Sequence, residues 1–309
     1  MNLKSSNLYR ELRYIYRSIF VYKKPISYLY HRFFLGPKIR RFTTPEDSRF
    51  PGNAYSVHLL CGHKDLQMLF WSLASWYQAV AQSGQVYIHD DGTFNSKDKR
   101  IISKMFPYAA IVDYQETTQH VLAGLADRFP RAYHYRNLSQ TDRRYIFNLK
   151  LIDPFFVGDA GTKLIIDSDL LWFQRPQKLL EAISEKRLPI FMGGEGSMDF
   201  VFADGSELNK NIGGVNSGVV GYERKQFSLD SLEEFYSRVG SNANPHFVEQ
   251  AGYAYILTRG SEPIFLPADK YHIKGSVSDQ TVMKHYTSPR REQFWFEGVK
   301  RLKGGILKK

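Results

Sequence analysis

The sequence of 309 residues is long enough for one large α/β domain or two small ones, and a hydrophobic content of 43% is enough for a packed core. The single cysteine, Cys61, excludes an intrachain disulfide framework and is typical of a reducing compartment. Because no apolar run approaches the ~18 residues of a membrane span and no signal-peptide pattern is visible, we expect a cytoplasmic protein without a spanning helix.

The basic charge is concentrated at the N-terminus. Residues 1–42 carry a net charge of +9, against +11 for the whole chain. Apolar residues recur there at helical spacing, at Leu8, Leu12, Ile15 and Ile19. This pattern predicts a helix, ended by Pro25, whose apolar stripe packs on the domain, or an interfacial helix drawn to anionic lipid as a peripheral membrane contact. We favour packing, although the two are compatible, and we expect no nucleic-acid partner because no such motif accompanies the charge.

After this segment, residues 43–53 are predicted to form a linker, so that 1–50 is a basic, aromatic extension and 51–309 a single domain. Strands and helices then alternate along the chain. Strands are predicted at 54–60, 85–91, 109–113 and 163–166. Helices are predicted at 64–82, started by Asp65, and at 95–106, 117–129 and 141–157, with another opened by Pro176. Asn244 and Pro245 are the predicted cap and first residue of the helix that contains Glu249. This alternation predicts an α/β fold with a mostly parallel sheet flanked by helices.

Two aspartates follow the fourth predicted strand and are separated only by Ser168. In such sheets, ligands bind beyond the carboxyl ends of the strands, and side chains at i and i+2 point the same way. We therefore expect Asp167 and Asp169 to project together into one crevice. A divalent cation relieves their repulsion, and Mg²⁺ or Mn²⁺ prefers oxygen ligands and keeps positions free for substrate phosphates. An ordinary aspartate turn is the structural alternative.

A different chemistry uses a similar pattern. Haloacid-dehalogenase-like phosphatases also place Asp-x-Asp after an apolar strand, with the first aspartate as the nucleophile. Their motif usually continues to Thr or Val two residues later, where this sequence has Leu171, and it normally lies on the first strand of the core. A phosphatase is therefore the more distant alternative.

Four stretches resemble nucleotide-sugar-dependent glycosyltransferases of the GT-A fold, which carry Asp-x-Asp at this place. The first surrounds the two aspartates and reads FNLKLIDPFFVGDAGTKLIIDSDLLWFQRPQKLLEAI. The others resemble the glycogenin-like and bacterial lipopolysaccharide galactosyltransferase-like group, and are GGVNSGVVGYE (213–223), VEQAGYAYIL (248–257) and MKHYTSPRREQFW (283–295). The resemblance covers roughly residues 54–296 and implies a Rossmann-like GT-A sheet behind the basic helical extension.

The chain departs from that group in two places. Glu249 replaces the aspartate of the group's Asp-Gln helix. After His285, the chain has Ser288 and Arg291 where the group has glycine and lysine, and Trp295 comes late. These departures leave the choice between retaining and inverting chemistry open.

The resemblance implies that His285 is a third metal ligand, because a neutral imidazole suits Mn²⁺; a structural strand histidine is the alternative. It implies catalytic roles for Glu249, Gln250 and Arg291. Glu249 is expected to act as general base on the acceptor in an inverting enzyme, or beside Gln250 at the donor sugar in a retaining one. An acidic residue in a first helical turn is also favourable for structure alone. Arg291 is expected to stabilise the departing diphosphate.

The resemblance also implies a donor site around the carboxyl ends of the strands. Lys150 is expected to reach the sugar or diphosphate, with a solvated helix face as the alternative. Asp90 is expected to contact the base or ribose, with a turn before Gly92 as the alternative. The expected nucleotide-sugar-binding residues are Leu60, Cys61, His63, Asp90, Lys150, Ser168, Asn216 and Ser217.

These expectations together describe a metal-dependent glycosyltransferase, a hexosyltransferase, that uses Mn²⁺ or Mg²⁺. Its donor is expected to be a nucleoside diphosphate sugar, and the resemblance favours a UDP-sugar. A non-catalytic sugar-nucleotide- or membrane-binding scaffold of the same fold is the alternative. No residue pattern specifies the acceptor.

Overall fold

The computed structural model describes residues 7–48, 54–194, 200–208 and 214–307. The predicted domain boundary between residues 50 and 51 lies outside these ranges, together with the second half of the predicted linker. Within the described ranges, none of the helices is both long and apolar enough to cross a membrane.

The described chain forms two β-sheets. Its strands are β1 Ser56–Cys61, β2 Gln85–Asp90, β3 Ala109–Val112, β4 Thr162–Ile166, β5 Leu170–Trp172, β6 Ile190–Gly193, β7 Val215–Glu223, β8 Ile264–Leu266, β9 Tyr271–His272 and β10 Met283–His285. The large sheet has the strand order β3-β2-β1-β4-β7-β6-β8, and the small one has the order β5-β10-β9.

The large sheet is mostly parallel, as predicted. Strands β3, β2, β1 and β4 run parallel to one another, β7 is antiparallel to both β4 and β6, and β8 is parallel to β6. Every residue of β4 is buried, because helices cover both faces of the sheet. Leu164 and Ile166 belong to one hydrophobic core, and Ile165 between them belongs to the other. This alternation places β4 in the middle of the molecule.

The helices lie on the two faces of the large sheet and at the N-terminus. They are α1 Asn7–Phe20, α2 Pro25–Leu29, α3 Leu66–Val80, α4 Ser96–Met105, α5 Tyr114–Leu125, α6 Pro130–Thr141, α7 Asn148–Phe156, α8 Gln177–Ser184, α9 Leu229–Arg238, α10 Pro245–Leu257 and α11 Lys300–Ile306. A π-helical stretch, Tyr30–Leu35, continues α2, and a second one, Phe294–Val299, leads into α11. One core contains residues of α3, and the other contains residues of α7, α9 and α10.

The helix α6 was not predicted from the sequence, and the helix predicted at 141–157 begins only at Asn148. The buried face of α6 consists of Ala132, Arg136 and Ser139 rather than large apolar residues. Arg136 is buried because its guanidinium pairs with Asp153 of α7 at 2.7 Å. A helix docked through an ion pair has no apolar periodicity to detect.

The N-terminal helix has the opposite orientation to the one favoured from its sequence. Leu8, Leu12 and Ile19 of the apolar stripe are exposed, and only Ile15 packs against the core. The helix α1 contacts the domain through its polar side instead, where the guanidinium of Arg17 pairs with the buried Glu292 at 2.6 Å. The packing interpretation of the stripe is therefore wrong. The helix also ends at Phe20, and Pro25 begins α2 rather than ending α1.

Candidate active site

Asp167 and Asp169 lie directly after β4, at the carboxyl end of the central strand. The backbone N–H of Asp167 donates to the carbonyl of Gly218 on β7 at 3.0 Å. The backbone N–H of Tyr286, just after β10, donates to the carbonyl of Asp169 at 3.0 Å. The backbone on both sides of Ser168 is thus held between the two sheets.

The imidazole of His285, on β10, faces both carboxylates. Its Nε2 lies 3.3 Å from Oδ2 of Asp167 and 3.0 Å from Oδ1 of Asp169. Its Nδ1 lies 3.1 Å from Oδ1 of Asn216, an oxygen that also accepts the backbone N–H of Gly218 at 2.9 Å. Because Oδ1 of Asn216 is an acceptor, Nδ1 carries the hydrogen, and Nε2 is the nitrogen directed at the aspartates.

These side chains form a set that fits a divalent cation. One ligand atom each from Asp167, Asp169 and His285 lies within 4.8 Å of the other two. Two carboxylate oxygens and one imidazole nitrogen suit Mn²⁺ or Mg²⁺, and nitrogen suits the softer Mn²⁺ better. Burial by itself lowers the pKa of His285, but the two carboxylates outweigh it and raise the pKa to about 9. The pair of aspartates therefore favours positive charge at the position of Nε2.

Lys150, on α7, brings a buried positive charge to Asp167. Its Nζ lies 2.6 Å from Oδ1 of Asp167 and 3.1 Å from Oε1 of Glu249. It also donates to the carbonyl oxygen of Ser217 at 2.8 Å. Burial lowers the pKa of Lys150, but the two carboxylates outweigh it, so that the pKa lies above its usual value. The alternative of a solvated helix face is wrong, because Lys150 is buried.

Glu249 and Gln250 lie on α10 and contact Ser217 of β7. The helix begins at Pro245 with Asn244 as its cap, as the sequence predicts, but Glu249 lies in the second helical turn rather than the first. The hydroxyl of Ser217 donates to Oε2 of Glu249 at 2.9 Å, and its backbone N–H donates to Oε1 of Gln250 at 3.2 Å. Burial raises the pKa of Glu249. The two α10 side chains thus fix the position of Ser217.

Arg291 connects the aspartates to the start of α3. Its Nη2 donates to Oδ2 of Asp169 at 3.2 Å, and its Nη1 donates to Oδ1 of Asp65 at 3.1 Å. The same oxygen of Asp65 accepts a hydrogen bond at 3.0 Å from Nη1 of Arg10 on α1. Burial lowers the pKa of Arg291, but the carboxylates of Asp65 and Asp169 outweigh burial, so the pKa of Arg291 lies above its usual value. Asp65, Asp169 and the two arginines therefore form one ion-pair chain.

Sequence reasoning missed this role of Asp65. It assigned Asp65 only to the start of helix 64–82, yet the side chain makes no capping hydrogen bond there. Its arginine partners lie 55 and 226 positions away along the chain. No local pattern indicates a pairing over such distances.

The residues expected at the nucleotide lie at the end of β1, the strand that neighbours β4. Leu60 and Cys61 are its last two residues, and Cys61 is buried. Burial raises the pKa of the Cys61 thiol, and the side chain of Ser168 lies against it. His63 is half-exposed, and its Nδ1 lies 2.7 Å from Oδ2 of Asp98. Ser168 is thereby placed between the ends of β1 and β4.

Asp90 is the last residue of β2, and its carboxylate is used by the turn that follows. Its Oδ1 accepts the backbone N–H groups of Gly92, Thr93 and Phe94 at 2.8, 3.1 and 3.1 Å. Its Oδ2 lies 3.7 Å from Nζ of Lys99. These contacts support the turn alternative, and a contact of Asp90 with a nucleotide stays a prediction.

Most of the expected site residues therefore share one network of contacts. Its members are Lys150, Asp167, Asp169, Asn216, Ser217, Glu249, Gln250, His285 and Arg291. Leu60, Cys61, His63 and Ser168 border it at the end of β1, and Asp90 lies one strand further out.

Comparison of the sequence with protein-family models and with curated proteins finds no match. Solved structures do resemble the fold. Mouse xyloside xylosyltransferase 1 has a TM-score of 0.50 at 11% identity, over 76% of this chain and 98% of that one. The bifunctional glycosyltransferase WbbM has a TM-score of 0.51 at 13% identity, over 85% of this chain and 53% of that one. The chain thus spans about half the length of WbbM.

Both of these structures are GT-A glycosyltransferases, and the likeness shows that this chain has the GT-A fold. The fold expected from the resemblance of four sequence stretches is therefore confirmed.

Proposed function

We propose that the protein is a metal-dependent glycosyltransferase that transfers a sugar from a nucleoside diphosphate sugar, preferably a UDP-sugar, to an acceptor hydroxyl in the cytoplasm. The observation that carries the proposal is the cluster of Asp167, Asp169 and His285. This cluster lies at the carboxyl end of β4 in a GT-A fold, where ligands of such sheets bind.

Asp167, Asp169 and His285 would hold Mn²⁺ or Mg²⁺. When bound, the cation supplies positive charge to the diphosphate oxygens of the donor. Arg291 lies 3.2 Å from Asp169, which supports the assignment of its guanidinium to the same diphosphate, to which it would donate two hydrogen bonds.

The reaction needs charge stabilisation at the leaving group. The bond between the anomeric carbon and the diphosphate oxygen breaks, and the nucleoside diphosphate leaves with the electron pair. The acceptor oxygen forms the new bond to the anomeric carbon and gives up its proton, to the carboxylate of Glu249 in an inverting reaction or to an oxygen of the departing diphosphate in a retaining one. Negative charge therefore grows on the diphosphate, and we assign its stabilisation to Arg291.

Glu249 and Gln250 are assigned to the sugar side of the site, together with Lys150, Asn216 and Ser217. The contacts of Glu249 with Lys150 and Ser217 support a role in holding these two residues at the sugar. We expect Glu249→Gln to lower turnover more than donor affinity. A rise in the donor KM with unchanged kcat would instead assign Glu249 to binding.

The nucleotide is assigned to the end of β1, with Leu60, Cys61, His63 and Ser168, and Asp90 is expected at the base or ribose. Two observations support this assignment. The strand β1 pairs with both β2 and β4, so that the three strand ends are neighbours. Asp65, four residues after Cys61, pairs with Arg291 and so brings this segment to the diphosphate side.

The proposal is tested by thermal-shift measurements with a panel of sugar nucleotides, with Mn²⁺, with Mg²⁺ and without either cation, followed by donor hydrolysis. A donor present at 100 times its Kd stabilises the fold by about 2.7 kcal/mol. We expect stabilisation by a UDP-sugar with Mn²⁺ and its loss in excess chelator. Stabilisation without any donor hydrolysis or transfer supports the non-catalytic scaffold, and no stabilisation by any sugar nucleotide with either cation contradicts the proposal.

A further inference from the structure

The N-terminal segment exposes a large apolar surface. Among the described residues, sixteen large hydrophobic side chains are exposed, and twelve of them lie between residues 8 and 34. We call these twelve the N-terminal face. They are Leu8, Tyr9, Leu12, Tyr16, Ile19, Phe20, Val21, Ile26, Leu29, Tyr30, Phe33 and Phe34.

The N-terminal face has helical periodicity in both of its helical parts. On α1, Leu8, Leu12, Tyr16 and Ile19 recur every three or four residues, so they share one side of the helix. From α2 into the π-helical stretch, exposure recurs in the same way at Ile26, Tyr30 and Phe34. Scattered exposed apolar residues are ordinary, but two consecutive apolar helix faces are not.

This orientation is fixed by the opposite side of the segment. On α1, Arg10 pairs with Asp65 at 3.0 Å, and Arg17 pairs with Glu292 at 2.6 Å. Glu11 of α1 pairs with Arg32 of the π-helical stretch at 2.7 Å. Turning α1 to bury its apolar side would break these pairs and leave the buried Glu292 without its cation, which is strongly unfavourable.

The segment also carries exposed positive charge. Its other six basic residues that the structure describes are exposed: Arg13, Lys23, Lys24, Lys38, Arg40 and Arg41. Arg13 is on α1, Lys23 and Lys24 lie between the two helical parts, and the other three follow the π-helical stretch. The remaining 267 residues of the chain have a net charge of only +2. The N-terminal face is therefore the one strongly basic and apolar surface in the described structure.

From this combination we infer that the N-terminal face binds an anionic lipid surface. Apolar and aromatic side chains on one side of a helix enter the boundary between headgroups and acyl chains, and neighbouring Lys and Arg are attracted by anionic headgroups. A second copy of the chain is a poorer occupant, because two such faces would bring like charges together. This inference does not depend on the proposed glycosyl transfer.

The test is flotation of the full-length protein with vesicles. We expect binding to vesicles of phosphatidylcholine with 30% phosphatidylserine and none to pure phosphatidylcholine. Raising the salt to 1 M should release the protein, because the screening length falls from roughly 8 Å to about 3 Å. Binding that is equally strong to neutral vesicles, or absent with anionic ones, overturns the inference.

Two sets of substitutions separate the apolar and the basic contributions. Ile26→Ser with Phe34→Ser removes the two most exposed side chains of the N-terminal face, at 83% and 70% exposure. Lys38→Gln with Arg40→Gln and Arg41→Gln removes three charges, and the partition coefficient should fall on the order of a hundred-fold, at roughly 1 kcal/mol per charge. Both sets should bind at least ten-fold more weakly than the unaltered protein.

The matched controls remove the same number of exposed apolar or basic side chains elsewhere on the surface. Tyr133→Ser with Val201→Ser, and Lys104→Gln with Lys178→Gln and Lys225→Gln, should leave vesicle binding within two-fold of the unaltered protein. Thermal melting of each variant checks that it is folded. Loss of binding in the controls equal to that in the test variants overturns the inference, and so does a stable dimer that the Ile26 and Phe34 substitutions dissociate.

Discussion

Two strands of the large sheet, β2 and β4, are each followed by or end in a pair of aspartates, and the structure uses the two pairs differently. At the end of β2, Asp90 and Asp91 are adjacent, and Asp90 accepts three backbone N–H groups of the following turn. At the end of β4, Asp167 and Asp169 are separated by one residue, and both carboxylates face the imidazole of His285. The first pair mainly accepts hydrogen bonds from its own turn, with the exposed Arg143 at Asp91, whereas the second pair faces buried side chains from distant parts of the chain.

The difference follows from spacing. At the end of β2, the following turn bonds both adjacent carboxylates, because the backbone N–H of Thr93 donates to Asp90 and to Asp91. Side chains at i and i+2 of a strand instead point the same way, so Asp167 and Asp169 converge on one group. The converging pair collects cations, namely Lys150 at Asp167 and Arg291 at Asp169. The cations at the β2 pair, Lys99 and Arg143, are partly exposed, whereas Lys150 is buried and Arg291 is mostly buried. The spacing of one residue at the end of β4 therefore builds a convergent, buried two-carboxylate site.

The largest effect on activity is expected from a substitution of Asp169 in the β4 pair. We expect Asp169→Asn to lower Mn²⁺-dependent donor hydrolysis by a factor of about a thousand or more, which is roughly 4 kcal/mol, because a neutral amide is a poor ligand for the cation. The matched control is Asp113→Asn, in which the amide oxygen can still cap α5. Full activity of Asp169→Asn, or of the unaltered protein in excess chelator, would contradict the metal assignment.

A second test removes Lys150, the buried cation at the β4 pair, and compares it with the partly exposed Lys99 near the β2 pair. Lys150→Met leaves the carboxylates of Asp167 and Glu249 without a buried ammonium, and we expect the free energy of unfolding to fall by about 3 kcal/mol. The value lies at the lower end of the usual range because Asp167 keeps His285 as a partner. In urea unfolding, Lys99→Met should cost under about 1 kcal/mol, because its ion pair with Asp113 is partly exposed. Equal losses in the two variants would show that burial does not separate these pairs.

Asp90 tests the other half of the comparison. Asp90→Ala removes the acceptor of three turn N–H groups, and we expect the free energy of unfolding to fall by about 2 kcal/mol with no change in the Mn²⁺ dependence of hydrolysis. Asp90→Asn keeps an oxygen acceptor and should recover most of the stability. If Asp90→Asn instead raises the donor KM at unchanged stability, Asp90 contacts the nucleotide, as the sequence predicts.

The smallest effect is expected at Arg10, where the network of the β4 pair ends. Arg10→Gln removes one of the two cations at Asp65, and the free energy of unfolding should fall by about 0.5–1 kcal/mol, because the pair is partly exposed. Arg13→Gln, an exposed position on the same helix, should change it by less. Identical urea midpoints for the two variants would mean that the Arg10 pair contributes nothing measurable.

Sequence reasoning succeeded where local rules decide the outcome. The apolar run before Asp167 predicted a buried strand, and β4 is buried at every position. Asn244 and Pro245 predicted a helix start, and α10 begins there. The spacing of Asp167 and Asp169 predicted convergent carboxylates, and the structure places both within hydrogen-bonding reach of one imidazole.

It failed where a charge is buried by a partner far away in the chain. The polar face of α6 is stable inside the protein only because Asp153 meets Arg136. Asp65 was predicted only as a helix start, because its arginine partners lie far away in the sequence, toward the two ends of the chain. The predicted orientation of α1 was wrong, because its sequence pattern shows which side is apolar but not that Arg10 and Arg17 pair with residues of the domain. Hydrophobic periodicity shows where the apolar residues are, but ion pairs determine the packing of α6, the role of Asp65 and the orientation of α1.

Oδ1 of Asp65 accepts hydrogen bonds from both Arg10 and Arg291. The helix α1 and the candidate active site therefore depend on the same acceptor atom. When one donor is drawn away from a shared acceptor, the other gains in strength. A diphosphate that draws Arg291 toward itself would therefore tighten the hold of Asp65 on Arg10, and with it the seating of α1. Because such coupling is reciprocal in free energy, anything that seats α1 more firmly would raise the affinity for that diphosphate by the same factor.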